Sequence, residues 1–193
     1  MKLILSDKSD AVYAALKEAF VDFPEVDVLF GDIRDVAADT VVSPANSFGW
    51  MDGGIDQVYR EMFGVEVERR VISRIVDRPD CELPVGEAVY VALDHERFSG
   101  LIVAPTMRVP GFVGDTNNAY RAFRAALEVA RTGGVRTLAA PALATGAGRM
   151  HPVQAAAQMC RAWREVTEGV RSACITFRTH EALTINAPTV KLY

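Results

Sequence analysis

The chain has 193 residues and a formal net charge of −4, with 50% of residues apolar and 24% charged. That length suits one domain, residues 1–193, around a single substantial core, and the composition is that of a soluble globular protein. The acidic balance argues against non-specific nucleic-acid binding, which needs a cationic surface to displace counterions.

The N-terminus, Met1-Lys2-Leu3-Ile4-Leu5, turns polar at Ser6, too short an apolar run for a signal segment or a membrane span. Leu3 to Leu5 read as a first strand, and Ser9 as the cap of a helix whose Val12, Leu16, Ala19, Phe20 and Phe23 share one apolar face. Pro24 ends it. A second strand runs from Val26 to Phe30, Gly31 to Asp35 turn the chain, and a third strand covers Thr40 to Ser43. After a loop containing Gly53 and Gly54 come two helical patterns, Ile55 to Phe63 and about Val65 to Val76, parted by Gly64. Leu83-Pro84-Val85-Gly86 is a turn, followed by strands at Glu87 to Leu93 and Leu101 to Ala104. The second of these is continuously apolar, as a strand buried on both faces would be. The Pro105 to Asn118 loop is long enough to be functional. A helix through Tyr120, Phe123, Leu127 and Ala130 stops at Gly133-Gly134, and a strand spans Val135 to Ala140. A second glycine-bearing loop, Pro141 to Met150, leads into a helix opened by Pro152, with Val153, Ala156, Met159, Cys160 and Trp163 expected on its buried side. A last strand is expected at Cys174 to Phe177 and a surface tail at 180–193.

This alternation predicts an α/β sandwich with a mixed sheet and helices on both faces. Ligands in such sheets sit outside the carboxyl ends of the strands. Both glycine-bearing loops follow strands directly, and both precede helices. Loop one offers Asn46, Gly53, Gly54 and Asp56. Loop two offers Thr145, Gly146, Ala147, Gly148 and Arg149. Backbone amides at two helix starts can cradle a diphosphate, because the unsatisfied N–H groups and the helix dipole both favour an anion. Each residue has a plainer reading beside this one. The glycines suit tight turns, Asp56 suits a first helical turn, Asn46 and Asp32 suit turn amides, and Arg149 suits solvent.

Other chemistries lack their signatures. There is no G-x-x-x-x-G-K-[ST] loop, no G-x-G-x-x-G after a strand and no G-x-S-x-G elbow. His95, His151 and His180 are scattered, and Cys81, Cys160 and Cys174 lie in no metal spacing, so no metal site is expected and the thiols read as reduced, in a cytoplasm.

Four segments together resemble the macrodomain family of ADP-ribose-binding modules: Gly31-Asp32-Ile33; Pro44-Ala45-Asn46 through Gly53-Gly54-Ile55-Asp56; Leu83 to Ala88; and Pro141 to Gly146. The resemblance covers roughly Val26 to Phe177 and implies a three-layer α/β/α fold with a mixed central sheet. It also implies roles. Asp32 looks like the acceptor for an adenine amino group, with the Ile33 backbone beside it. Ala45, Gly53, Gly54 and Ile55 look like the first loop around the diphosphate and distal ribose, and Thr145, Gly146, Ala147, Gly148 and Arg149 like the second. Phe177 is the candidate to stack on adenine. Asn46 and Asp56 stand at the spacing of the hydrolytic MacroD-type branch. There Asp56, kept ionised by the helix start, would orient or deprotonate water, and Asn46 would orient the ribose hydroxyls.

The sequence departs from the family pattern in three places. Ser43-Pro44-Ala45-Asn46 replaces the usual N-A-A-N, the glycine run is reduced to Gly53-Gly54 behind Met51-Asp52, and Met150 stands where an aromatic residue usually meets the ribose. No paired glutamates adjoin the glycine loop, so polymer cleavage is not expected. The resemblance thus implies a metal-independent, cofactor-free hydrolase acting on a mono-ADP-ribosylated acidic side chain or a related ADP-ribose derivative. The alternative is a module that binds ADP-ribose without turning it over. ADP-ribose or an ADP-ribosylated substrate is the expected partner; no membrane or nucleic-acid partner is.

Overall fold

A computed structural model describes residues 1–169. The strands are β1 (Lys2–Asp7), β2 (Val26–Phe30), β3 (Thr40–Ser43), β4 (Val89–Ala92), β5 (Gly100–Val103) and β6 (Thr137–Ala140). The helices are α1 (Asp10–Ala19), α2 (Gly54–Phe63), α3 (Glu66–Val76), α4 (Asn118–Thr132) and α5 (Pro152–Glu168). The expected last strand at Cys174 to Phe177 and the expected tail lie outside the described residues.

The strands form a six-stranded sheet in the order β2-β1-β6-β3-β5-β4. Every neighbouring pair is parallel except β4 with β5, so the sheet is mixed, with its antiparallel strand at one edge. Consequently β2, β1, β6, β3 and β5 all end on the same rim, and the connections leaving that rim carry both glycine-bearing loops.

Successive side chains of a strand point to opposite faces, and the core divides accordingly. Leu3, Leu5, Val42, Ile102, Leu138 and Ala140 pack with α1, α4 and α5 on one face. Ile4, Val41, Leu101, Val103 and Ala139 pack with α2 and α3 on the other. The result is the expected three-layer α/β/α sandwich. β4 is shorter than expected and only Val91 is buried in it, as befits an edge strand.

Two local expectations are corrected. Ser9 does stand at the N-cap of α1, but its hydroxyl makes no capping bond; its own backbone N–H donates to Asp7 Oδ1 at 2.9 Å, and its carbonyl accepts from Tyr13 N. In α5 Pro152 opens the helix as expected, but Val153 is 59% exposed. The buried stripe is Ala155, Ala156, Met159, Ala162 and Trp163, spaced by one, three, three and one, with Cys160 only half-buried at its border.

Candidate functional site

The carboxyl rim of the sheet holds a cleft of about 650 Å³, within the range of small-molecule sites. Strand order arranges its lining. Gly31, Asp32 and Ile33 follow β2 at one end, while Pro141, Ala142 and Ala144 to Gly148 follow β6 in the middle. Pro44 to Asn46, Trp50 and Asp52 to Asp56 follow β3, and Thr106, Met107 and Pro110 follow β5 at the far end. Four inter-strand spacings separate β2 from β5, about 19 Å, so the cleft suits an elongated ligand.

Loop one is organised by Asn46. Its Oδ1 accepts from the N–H groups of Phe48 (3.1 Å) and Trp50 (3.3 Å), and its Nδ2 donates to the Trp50 carbonyl at 2.9 Å. Asn46 therefore satisfies turn amides, and one Nδ2 hydrogen is left over. Ser47 N donates to the carbonyls of Met107 and Arg108, each at 3.1 Å, which ties this loop to the segment after β5. At Gly53 (φ −156°) and Gly54 no atom of the described residues beyond the adjoining backbone lies within 4 Å of where a Cβ would stand. Gly54 has φ +59°, a conformation glycine adopts without penalty.

Asp56 follows in the first turn of α2, 7% exposed on the cleft wall. Ser43, the last residue of β3 and also buried, donates its hydroxyl to Asp56 Oδ1 at 2.6 Å. Tyr59, one turn on, donates to the Val42 carbonyl at 3.0 Å and so clamps α2 to the same strand. Desolvation pushes the Asp56 carboxyl up to about 6, and the Ser43 bond only partly offsets this. Burial thus makes Asp56 a weaker acid than an ordinary carboxyl, although above about pH 6 it is ionised.

Loop two is compact. Arg149 N donates to the Gly146 carbonyl and Met150 N to that of Ala144, each at 3.0 Å, while Ala144 and Arg149 take the left-handed values φ 64° and 50°. A Cβ on Gly148 would stand 2.5 Å from the Ala144 carbonyl oxygen and 2.7 Å from a Val113 methyl. Val113 N in turn donates to the Gly148 carbonyl at 2.9 Å. The 105–118 loop therefore joins the two grips, meeting loop one at Met107 and loop two at Val113.

Asp32 is committed to its own turn. Its Oδ1 accepts from Arg34 N (3.0 Å) and Nε (3.1 Å), and its Oδ2 from Arg34 Nη2 (2.8 Å) and Lys8 Nζ (2.9 Å). The Arg34 guanidinium holds this carboxyl well below the usual carboxylate range.

Of the expected site residues, Asp32, Ile33, Ala45, Asn46, Gly53, Gly54, Ile55, Asp56, Thr145, Gly146, Ala147, Gly148 and Met150 line the cleft. Arg149 does not. It is exposed, its side chain outside the lining, which agrees with its solvent reading. Phe177 lies outside the described residues. Three residues of interest went unassigned in the sequence: Ser43, hidden at a strand end; Lys8; and Trp50, whose signal was a large aromatic residue set between Gly49 and Gly53. Among the described residues no cluster of three or more His, Cys, Asp or Glu side chains could hold a metal ion, and no helix is long and apolar enough to cross a membrane.

Comparison with known proteins agrees with this architecture. Residues 42–160 match the Macro domain family model. An uncharacterised protein of Aquifex aeolicus is 36% identical over 124 residues, 64% of this chain and 72% of that protein. An O-acetyl-ADP-ribose deacetylase of Escherichia fergusonii is 30% identical over 123 residues, 63% of this chain and 68% of that protein. The Oceanobacillus iheyensis macrodomain, solved with ADP, superposes with a TM-score of 0.60 at 20% identity, covering 72% of this chain and 74% of that one. The chain belongs to the macrodomain family.

Proposed function

We propose that the chain binds ADP-ribose along this cleft and hydrolyses an ADP-ribosyl bond on a mono-ADP-ribosylated acidic side chain or a related ADP-ribose derivative. One observation carries the reading: a buried carboxyl, Asp56, on the wall of an elongated cleft, with one oxygen held by Ser43 and the other without a hydrogen-bond partner among the described residues. The name of the Escherichia fergusonii relative supports an ADP-ribose derivative as substrate.

The ligand then runs with adenine near Asp32 and Ile33. To accept the adenine amino group, Asp32 exchanges the Lys8 ammonium, the more exposed of its partners. The diphosphate lies between Gly53-Gly54 and the Thr145 to Gly148 loop, where amides and the start of α2 favour it. The distal ribose comes to Asn46 and Asp56. Ionised Asp56 accepts a proton from a bound water as the water oxygen bonds to the carbon under attack, and the leaving group departs with the electron pair of the broken bond and takes the proton that Asp56 gained. Asn46 contributes chiefly by fixing loop one, with one amide hydrogen left for the ribose. No metal takes part in this scheme.

A second reading, binding without turnover, is favoured by the commitment of the Asn46 amide and the Asp32 carboxylate to their own turns. Calorimetry with ADP-ribose and single-turnover release from a mono-ADP-ribosylated protein separate the two. Hydrolysis predicts that Asp56→Asn keeps ADP-ribose affinity within about threefold while release slows at least about 100-fold. Wild-type release at the Asp56→Asn rate would leave only the binding module.

A further inference from the structure

The end of the cleft at β5 carries a feature to which neither the fold nor the proposed hydrolysis assigns a task. Trp50 stacks on Phe48 with ring centroids 4.8 Å apart and planes 19° from parallel. The Arg108 guanidinium lies 5.1 Å from the Phe48 centroid. Glu82 fixes that guanidinium through both carboxylate oxygens, the Nε bond being 3.0 Å. The Trp50 backbone is held at its N–H and its carbonyl by the one Asn46 side chain. The Trp50 backbone is thus held and its ring is stacked on Phe48, yet Trp50 itself remains 44% exposed and lines the cleft. Leaving so large an apolar side chain half in water, on a built support, gains nothing for the fold.

Its place in the cleft limits what it can meet. Asn46 bridges to Met107 after β5, and Phe48 contacts Arg108, so the stack lies toward the β5 end, opposite Asp32. On the orientation proposed above, on which this inference rests, that end receives whatever is attached to the distal ribose. We infer that Trp50 is a subsite for a flat aromatic or heteroaromatic ring carried at C1″ of the distal ribose. Such a ring can stack on an indole that the fold leaves partly exposed in the cleft.

NAD has this structure, with ADP-ribose bearing a nicotinamide ring at C1″. Carba-NAD, whose carbocyclic ribose resists cleavage, allows binding to be measured alone. Titrations of ADP-ribose and carba-NAD into the wild-type chain, Trp50→Ala and Trp50→Phe test the inference. Trp50→Ala is expected to weaken carba-NAD about five- to tenfold, the size of one aromatic stacking contact, while ADP-ribose changes less than about twofold; Trp50→Phe restores most of the loss. Fluorescence gives a second readout, because the other tryptophan, Trp163, is fully buried. Carba-NAD should quench wild-type emission more than ADP-ribose does.

Equal weakening of both ligands by Trp50→Ala would overturn the inference by giving the indole to the ribose. No change in either, or wild-type binding of ADP-ribose but not carba-NAD, would also overturn it. Failure of the wild-type chain to bind ADP-ribose at all would instead remove the proposed function and this subsite with it.

Discussion

Asp56 lies in the first turn of α2, where a helix dipole favours the anion by about 0.3–1 kcal/mol, but its carboxyl is largely desolvated, and that effect is larger and of opposite sign. Raising it from 3.8 to about 6 in the folded state has two consequences. Between those values the unfolded chain releases the proton while the folded one keeps it, so stability falls as pH rises through the window, and the penalty of roughly 3 kcal/mol is fully present above pH 6. Asp56→Asn should therefore be the more stable protein at pH 7.5, by about 1–3 kcal/mol in urea unfolding, with the advantage fading below about pH 4. The second consequence is kinetic. If the ionised carboxylate orients water, turnover has an acid limb near pH 6. Ser43→Ala, which removes the bond favouring the anion, should move that limb to higher pH, while Ser43→Thr leaves it in place. A limb that stays put in Ser43→Ala would sever Ser43 from the chemistry.

At the scale of elements, the two glycine-bearing loops use glycine for different reasons. Gly148 is crowded by the Ala144 carbonyl and Val113, so Gly148→Ala has to part loop two from the 105–118 loop. It should cost about 1–3 kcal/mol of stability and weaken ADP-ribose binding with it. Gly53 is extended and has no protein neighbour to strike. Gly53→Ala should unfold within about 0.5 kcal/mol of wild type while binding ADP-ribose at least about tenfold more weakly, since in the proposed binding mode a Cβ there stands between backbone and diphosphate. Chemical unfolding and calorimetry on the pair separate a loop that the fold needs from one that the ligand needs. The length of the 105–118 segment marked it only as a candidate for function. That it joins both grips depends on contacts at Met107 and Val113 that no local pattern encodes.

At the scale of the molecule, the sheet separates two cores, and the cleft lies across the strand ends of both. Phe123 of α4, fully buried in the core, belongs to the packing and not to the cleft lining. Phe123→Ala should lower stability by about 3–5 kcal/mol, yet the fraction that remains folded should bind ADP-ribose with unchanged affinity. A parallel loss of affinity would mean that the core sets the loop geometry.

What the sequence determined by itself is what short-range regularities encode. β-Branched runs bounded by proline and glycine placed β2 at Val26–Phe30 and β3 at Thr40–Ser43 without error, and the same punctuation put a glycine loop after β3 and after β6. Alternation of strands with helices was enough for the layered architecture, because each element must bury its apolar side against another. Only the tertiary structure decided that Ser43, thirteen residues away, lies under Asp56, and that Asp32 and Asn46 are engaged by their own turns. It also decided that Trp50 lies half-exposed, stacked on Phe48. These are properties of burial and of partners brought together by strand order. A residue's solvation, and hence its acidity and its freedom to meet a ligand, is set by the neighbours that folding supplies.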